Sequence, residues 1–463
     1  MRLTFHGAAR TVTGSMHLLE TNQHRVMLDC GLFQGHRAEA AQRNANPPVD
    51  PKTIDTAILS HAHIDHCGNL PTYIKRGFVG DVNCTSATRD LAMLMLRDSA
   101  RIQEQDAQYL NQKTSRAGMP PVEPLYTSAD AERALQHLVG RPYGRAFNLN
   151  GGTRVQFIEA GHILGSAITV MDLTEENRAV RLCFTGDLGR KGTPILLDPE
   201  LAQQIDYLII ESTYGDREHG AFEKTEDDLA RIIRETVTRG GKVVIPAFAV
   251  ERTQEILYSL HLKSEAHLVP SIPMFVDSPL AVRATDVFRM HLECLKPAVT
   301  EHLMTHADPF GFEKLHLTRT VEESKQINQI EGSVVIISAN GMCEAGRVLH
   351  HLKNTIEDER NTVLFVGYQA ENTLGRRIQD GTKKVKIFGD EFSVRAHVES
   401  ASGFSAHADR SDLIDWVTAC KENLKGVFVV HGEEKSALSL ADALRAVGKF
   451  SVNVPAPGQI FEL

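Results

Sequence analysis

The sequence predicts an α/β protein in which a β-rich first part is followed by a mainly parallel sheet covered by helices. Residues 1 to about 90 alternate short strand patterns with tight turns. From about 222 to 390 the chain repeats a strand, a polar or glycine-bearing loop and an amphipathic helix. Its 463 residues exceed what one ordinary core accommodates, so we expect two or three domains.

The elements follow from local patterns. The first strands are predicted at RLTFHG, HRVMLDCG, TAILSHAH and DVNCTS, and a helix from Thr88, where apolar residues recur at spacings of three and four. A helix around SADAERALQHL has Ser128 as its expected N-cap. Strands return at TRVQFIEAGH, AITVMDL, AVRLCFTGD and YLIIEST. Strand, loop and helix units follow, for example KVVIPAFAVERTQEILYSL, and again after residue 398 in GFSAHADRSDLIDWV and GVFVVHGEEKSALSLADAL.

Composition excludes several classes of protein. No apolar run approaches the roughly 20 residues of a membrane helix, and the N-terminus lacks a signal-peptide pattern, so we expect a cytoplasmic protein. The seven cysteines form no CxxC pair, which disfavours disulfides and thiolate zinc sites. A net charge of −9 argues against nucleic-acid binding over the whole surface. A polyanionic substrate would need a local cationic patch, for which the candidates are Arg252, Arg347, Arg376 and Arg377.

The segment SHAHIDHCG, residues 60 to 68, carries three histidines and an aspartate directly after a buried strand pattern. Side chains two apart in an extended chain point the same way, so His61 and His63 can converge on one ion. Asp65 and His66 lie one turn further and can face a second ion. A single histidine is usually an ordinary core or surface residue, but this crowding would leave polar groups unsatisfied without a metal.

Three further ligand-type residues occupy matching positions after apolar runs. They are His162 after VQFIEAG, Asp187 after RLCFT and His431 after VFVV. Imidazole and carboxylate form the ligand set that zinc prefers. The seven candidates suffice for two ions that share one carboxylate.

These residues resemble the metallo-β-lactamase fold, and Asp29 in VMLDCG matches the aspartate that precedes the HxHxDH loop there, with an orienting role for a ligand. Three segments, IIESTYGDREH, SGFSAHAD and VVHGE, resemble the signatures of the β-CASP branch. That branch includes the metazoan pre-mRNA 3′-end endonuclease of the cleavage and polyadenylation specificity factor and bacterial ribonuclease J. The resemblance covers nearly the whole chain, which looks like the short bacterial type.

The resemblance implies an αββα lactamase domain from 1 to 205, completed by 399 to 463, with a β-CASP domain inserted at 206 to 398. It implies two zinc ions. Their ligands would be His61, His63, His162 and Asp187 for one ion, and Asp65, His66, Asp187 and His431 for the other. Two such ions would give a hydroxide nucleophile at neutral pH for attack on a phosphodiester.

Other residues are predicted to take part in proton transfer and in phosphate binding. His407 is the expected general acid and Glu211 the carboxylate that orients it, so that with Asp65 they form the predicted catalytic set. Ser405 and His407, with Asn340 and Gly341, are the predicted phosphate-binding residues.

The expected substrate is single-stranded RNA, because RNA-directed members of the branch resemble the HGE of His431, whereas DNA-repair members tend to carry valine. Endonucleolytic cleavage is favoured, with exonuclease activity as an alternative, and a homodimer is expected from the family.

Two other functions stay open: a small-molecule metallohydrolase acting on an ester, lactone or thiolester, and a partner-dependent subunit of an RNA-processing complex. Oxygen-reducing di-iron relatives commonly carry glutamate at the position of His63, which disfavours that chemistry.

Overall fold

The structure is a computed structural model. It describes residues 1–35, 37–114, 121–176, 178–220, 222–305, 308–367, 369 and 372–463. The chain divides into two compact units, which alternate along the sequence. The first comprises Met1–Lys191, Asp198–Glu218 and His407–Leu463, and the second comprises Gly192–Leu197 and His219–Ala406.

The first unit is built from two seven-stranded sheets. Its strands are β1 (Arg2–Gly7), β2 (Met16–Glu20), β3 (Arg25–Leu28), β4 (Thr56–Ile58), β5 (Val82–Thr85), β6 (Leu138–Arg141), β7 (Phe147–Asn148), β8 (Arg154–Glu159), β9 (Ala167–Glu175), β10 (Arg178–Phe184), β11 (Tyr207–Ile210), and, near the C-terminus, β20 (Gly426–Val429), β21 (Ser451–Asn453) and β22 (Gln459–Glu462). Its helices are α1 (Arg37–Ala45), α2 (Ile64–Cys67), α3 (Leu70–Lys75), α4 (Ser86–Thr114), α5 (Ser128–Leu135), α13 (Arg410–Cys420) and α14 (Glu434–Val447).

The two sheets have matching designs. One has the strand order β22-β1-β2-β3-β4-β5-β6 and the other β21-β20-β11-β10-β9-β8-β7. In each sheet one half is antiparallel and the other half is parallel; β3 to β6 are parallel in the first, and β10, β11, β20 and β21 are parallel in the second. Parallel neighbours need long connections, which α3 to α5 and α13 to α14 supply.

The core of the first unit lies between the sheets. Phe5 and Leu28 from one sheet and Phe184 and Phe428 from the other belong to one buried cluster, as expected for two apolar faces packed together. A second cluster packs α13 and α14, through residues such as Trp416, on the outer face of the second sheet. The arrangement is a helix–sheet–sheet–helix sandwich, which confirms the predicted fold class.

The second unit has a six-stranded sheet in the order β14-β13-β15-β12-β16-β19, whose neighbouring strands pair in parallel, and a separate antiparallel β17-β18 hairpin. Its strands are β12 (Val243–Pro246), β13 (Met274–Val276), β14 (Leu315–Leu317), β15 (Val335–Ser338), β16 (Thr362–Phe365), β17 (Lys384–Ile387), β18 (Asp390–Ser393) and β19 (His397–Ser400). Its helices are α6 (Phe222–Thr238), α7 (Arg252–Glu265), α8 (Pro279–Met290), α9 (Pro297–Thr305), α10 (Val321–Gln329), α11 (Val348–Thr355) and α12 (Leu374–Gln379). The central strands β12, β15 and β16 are short and buried, and α10 to α12 pack against apolar side chains of this sheet.

The compact units divide near the predicted domain boundaries but not at the same residues. The predicted division at 205 falls before β11, which pairs with β10 and β20, and the units divide after Glu218. The predicted division at 398 falls within β19, which pairs with β16, and the units divide after Ala406. The cap of α5 is Thr127 and not Ser128: Thr127 Oγ1 accepts the N–H of Asp130, whose carboxylate accepts the N–H of Thr127.

Within the part of the chain that the structure describes, no helix has the length and apolar character needed to cross a membrane.

Candidate metal centre

Strand direction brings the predicted ligands to one edge of the second sheet. β10, β11 and β20 are mutually parallel, and β8 runs the same way because both β8 and β10 are antiparallel to β9. The carboxyl ends of these four strands therefore share an edge. His162, Asp187, Glu211 and His431 each follow one of these ends within a few residues.

The other sheet contributes the segment after β4. The chain stays extended to His63, whose φ of −63° and ψ of 148° make it the N-cap residue of the short helix α2. The extended stretch brings Nε2 of His61 within 3.0 Å of Nδ1 of His63, as the alternation rule predicts. α2 then carries Asp65 and His66, and the ring centre of His66 lies 4.0 Å from that of His61.

Four side chains surround one point. Nδ1 of His63 lies 3.0 Å from Nε2 of His61 and 3.3 Å from Nε2 of His162. Oδ2 of Asp187 lies 3.6 Å from Nε2 of His61 and 3.5 Å from Nε2 of His162. All four ligand atoms lie within 4.8 Å of one another, and they belong to the predicted first set.

A second set lies beside the first. Nε2 of His66 is 3.0 Å from Nε2 of His431 and 4.0 Å from Oδ2 of Asp65, and Nε2 of His431 is 3.5 Å from the same Asp65 oxygen. Oδ2 of Asp187 is 3.4 Å from Nε2 of His66. The Asp187 carboxylate therefore contacts both sets and is in position to be shared.

The dimensions of the first set fit zinc. A tetrahedron with metal–ligand bonds of about 2.0–2.1 Å has edges of about 3.3–3.4 Å. The four measured separations, 3.0, 3.3, 3.5 and 3.6 Å, bracket that value. The two remaining separations, from His61 to His162 and from His63 to Asp187, are within 4.8 Å.

The electrostatics of the cluster also favour a bound cation. Burial lowers the pKa of His61 and of His162 well below the ordinary value, and that of His63 to about 4, so these rings are neutral at pH 7. Although burial opposes it, the neighbouring imidazoles of His431 and His66 hold the pKa of Asp187 well below its usual range. Its Oδ1 is buried and lies 3.2 Å from Nδ1 of His431. Neutral nitrogens that converge on a buried carboxylate are the setting of a bound metal ion.

The ring of His66, a candidate ligand, is oriented by the buried carboxylate of Asp29. Oδ2 of Asp29 lies 2.7 Å from Nδ1 of His66, which directs Nε2 towards the centre. Oδ1 of Asp29 accepts the N–H of Ser60, and its Oδ2 accepts the hydroxyls of Ser15 and Ser60. Burial opposes protonation of His66, but Asp187 and Asp29 outweigh it and raise its pKa well above the ordinary value.

Sequence reasoning missed the part played by Ser60. Its Oγ lies 3.1 Å from Nδ1 of His61 and 3.0 Å from Oδ2 of Asp29, so it links the two chain segments behind the ligands. Its position next to His61 was a signal that could have been followed. Gly186 is needed for the same packing, because a Cβ there would lie 2.5 Å from Cβ of Ser60.

Glu211 and His407 form a pair beside the cluster. Nδ1 of His407 lies 3.0 and 3.2 Å from the two carboxylate oxygens of Glu211 and 4.0 Å from Oδ2 of Asp187. Its ring centre is 4.4 Å from that of His162. Burial favours the neutral ring, but Glu211 outweighs it and raises the pKa of His407 to about 9.

The predicted phosphate-binding residues other than His407 lie in the second unit. Ser405 is buried after a short 3₁₀ turn (Ser402–Phe404), and Asn340 and Gly341 lie in the loop after β15, where Oδ1 of Asn340 accepts the N–H of Met342. Three of the candidate arginines are paired inside that unit. The pairs are Arg252 with Glu255, Arg347 with Asp277, and Arg376 with Asp380.

Several known proteins are similar to this chain. It is 37% identical to a ribonuclease from Thermus thermophilus over 97% of both chains. It is 31% identical to an RNase J-like protein from Methanocaldococcus jannaschii, covering 100% of this chain and 99% of the other. The transcription termination factor FttA of the same archaeon is 32% identical over 98% of this chain and 70% of its own.

One solved structure shares the fold at low identity. It is a protein of unknown function from Enterococcus faecalis V583, with a TM-score of 0.56 and 13% identity, covering 100% of this chain and 99% of that one.

The sandwich and its cluster of histidines and aspartates at the strand ends define a class, the metal-dependent hydrolases of the metallo-β-lactamase fold. Three family descriptions match the chain: the metallo-beta-lactamase superfamily at residues 9–238, the Beta-Casp domain at 253–378, and the Zn-dependent metallo-hydrolase RNA specificity domain at 391–455. With the relatives above, they show that the chain belongs to the β-CASP, RNA-processing branch of the metallo-β-lactamase superfamily. The resemblance recognised in the sequence is confirmed, and zinc is the metal that the family and the ligand set indicate.

Proposed function

We propose that this protein is a ribonuclease that hydrolyses phosphodiester bonds of single-stranded RNA with two zinc ions, by endonucleolytic cleavage. The observation that carries the proposal is the pair of ligand sets that share Asp187, with the Glu211–His407 pair beside them. Ribonuclease names among the relatives support RNA as the substrate class.

The ligands divide between the ions as the geometry groups them. His61, His63, His162 and Asp187 would hold one ion, and Asp65, His66, His431 and Asp187 the other. When bound, zinc supplies Lewis acidity, which activates water as the nucleophile and offsets negative charge on the phosphate. Asp29 would keep Nε2 of His66 aimed at the ion by accepting the proton of Nδ1.

His407 would donate the proton that the leaving 3′-oxygen needs. Glu211 accepts from Nδ1, which leaves proton transfer to Nε2 of the same ring. The position of the ring next to His162 and Asp187 keeps the donor beside the reacting centre. Glu211 acts through His407, so it is a positioning residue in this proposal, whereas Asp65 acts as a ligand.

Binding of the RNA backbone would fall partly to Ser405, Asn340 and Gly341. The 3₁₀ turn before Ser405 and the turn in which Asn340 accepts the N–H of Met342 are loops of the kind that hold phosphate oxygens. The homodimer and the cytoplasmic location expected from the sequence stay predictions.

The test is incubation of purified, zinc-loaded protein with internally labelled single-stranded RNA and with DNA of matching sequence. Internal fragments that carry 5′-phosphates, formed from RNA and absent with Asp65→Ala, are the expected result. Circularised RNA serves as a second substrate, because only an endonuclease opens it.

Each outcome has a clear meaning. Cleavage of linear but not circular RNA would overturn the endonucleolytic assignment and leave an exonuclease. Intact RNA in the presence of bound zinc, together with hydrolysis of a chromogenic ester, would replace the proposal by a small-molecule hydrolase.

A further inference from the structure

A second group of possible metal ligands lies in the second unit. His261 and Glu265 are one turn apart on α7, and His302 lies on α9. Nε2 of His261 is 3.0 Å from Nε2 of His302 and 3.6 Å from Oε1 of Glu265. The three ligand atoms lie within 4.8 Å of one another.

The protonation pattern of His261 is fixed by a backbone group. Its Nδ1 lies 2.8 Å from the carbonyl oxygen of Gly311, and a carbonyl can only accept, so Nδ1 carries the proton. In the neutral ring, Nε2 then carries the lone pair, which is directed at His302 and Glu265. A histidine that donates one ring N–H to a backbone carbonyl while the other nitrogen faces a cluster is the usual arrangement of a metal ligand.

The surroundings favour a cation between these groups. The His261 ring is buried, with 3% of its side chain exposed, while the Glu265 side chain is 58% exposed. A hydrogen bond from Nε2–H of His302 to Nε2 of His261 would account for the 3.0 Å separation, but Nε2 of His261 would then offer no proton to Oε1 of Glu265, which lies 3.6 Å away. A divalent ion satisfies all three groups, and the two measured separations bracket the tetrahedral edge of about 3.3–3.4 Å for zinc.

We propose that His261, Glu265 and His302 form a further zinc-type metal site, separate from the catalytic cluster and located wholly within the second unit. Two imidazoles and one carboxylate form a set that zinc accepts, with water from the exposed Glu265 side completing the coordination. Such an ion would connect α7 to α9 and, through His261, to the backbone at Gly311. Its role would be structural, because it would fix two helices that are joined only through a long stretch of chain.

The experiment measures zinc content. The 463-residue protein is stripped with a chelator, reloaded with zinc, passed through gel filtration and analysed by mass spectrometry of the metal. We expect His302→Ala to hold one equivalent less zinc per chain than the wild type. Glu265→Gln should lower the affinity for that zinc equivalent at least tenfold. RNA cleavage at saturating zinc should stay within twofold of wild type for both variants.

The control is His397→Ala, which removes an exposed histidine in β19 of the same unit and should leave zinc content unchanged. Circular dichroism establishes that each variant is folded. If His302→Ala does not fold, Glu265→Gln still decides the test, because the Glu265 side chain is exposed at the end of α7.

Equal zinc content and zinc affinity in wild type, His302→Ala and Glu265→Gln would overturn the proposal and leave a hydrogen-bonded histidine pair. The comparison is a difference between variants, so it is independent of how many ions the catalytic cluster holds. Failure of the ribonuclease proposal would appear in the RNA assay and would leave this difference intact.

Discussion

The carboxylate of Glu211 contacts Nδ1 of His407 with both oxygens, at 3.0 and 3.2 Å. The same carboxylate accepts the backbone N–H groups of Leu188, at 2.7 Å, and Thr213, at 3.2 Å, so it is held at the end of β11 by four contacts. Because Glu211 is fully buried, it cannot swing out to solvent. The orientation of the His407 ring is therefore set before any substrate binds.

Replacement of His407 by alanine should separate catalysis from metal binding. We expect His407→Ala to keep its zinc and to lose about 10²–10⁴-fold in cleavage rate, the usual contribution of a general acid. Asp187→Ala should lose both zinc and cleavage, because its carboxylate contacts both ligand sets. Zinc content and single-turnover cleavage are measured on the same preparations. A wild-type rate for His407→Ala would show that another group protonates the leaving oxygen.

Replacement of Asp29 by asparagine should weaken metal binding without removing a ligand. Asp29→Asn keeps the shape of the side chain but removes the negative charge next to Nδ1 of His66. We expect zinc affinity to fall about 10- to 100-fold, the typical effect of losing such a partner. Competition with a fluorescent chelator measures it. Asp442→Asn, at a side chain that is 76% exposed, is the matched control, and equal affinities in the two variants would contradict the orienting role of Asp29.

The stability of the first unit should depend on pH through Glu159. Burial raises the pKa of this carboxyl from its ordinary value near 4.5 to about 8, although its Oε1 accepts the N–H of Gly161. Between these values the folded protein keeps a proton that the unfolded chain loses, so this group lowers the free energy of unfolding as pH rises from about 4.5 to 8.

Glu159→Gln should remove that dependence. At pH values above 8 we expect the variant to be more stable than wild type by up to about 5 kcal/mol, at about 1.4 kcal/mol per pKa unit, and the difference to disappear below pH 4.5. Urea unfolding at a series of pH values measures the difference. A stability difference that is the same at pH 4 and pH 8 would mean that Glu159 does not hold the proton.

Removal of zinc should destabilise the protein as well as inactivate it. The ligands place neutral and anionic groups close together at buried positions, and a bound ion compensates them. Zinc at 100 times its dissociation constant contributes about 2.7 kcal/mol to the folded state. We expect a chelator to lower the melting temperature and abolish RNA cleavage, and added zinc to restore both. An unchanged melting temperature after verified loss of zinc would show that the cluster is stable without an ion.

Local signals in the sequence predicted much of this arrangement. The alternation in SHAHIDHCG gave the convergence of His61 and His63, and the apolar runs before His162, Asp187 and His431 placed these residues at strand ends. Parallel pairing of β10, β11 and β20 then brings strand ends together by geometry alone.

Features that depend on distant pairing were harder to predict. The boundary that the resemblance implies at 205 lies before β11, and one sheet neighbour of β11, the strand β20, comes more than two hundred residues later in the chain. Ser60 and Asp29 meet through hydrogen bonds that no spacing rule encodes. The pair of His261 and His302 comes from two helices whose packing the helical pattern does not specify.

The place of the insert also has a consequence for biosynthesis. β11 and β20 are neighbours in one sheet, but the ribosome makes His219–Ala406 between them. At about 5–20 residues per second this delays the later strand by roughly 10–40 s. Until then the nascent chain lacks both His407 and His431, to which the proposed function assigns proton donation and metal binding. On that proposal a partly translated copy cannot yet cleave the messenger RNA from which it is being made, and it becomes competent only after His431 has emerged.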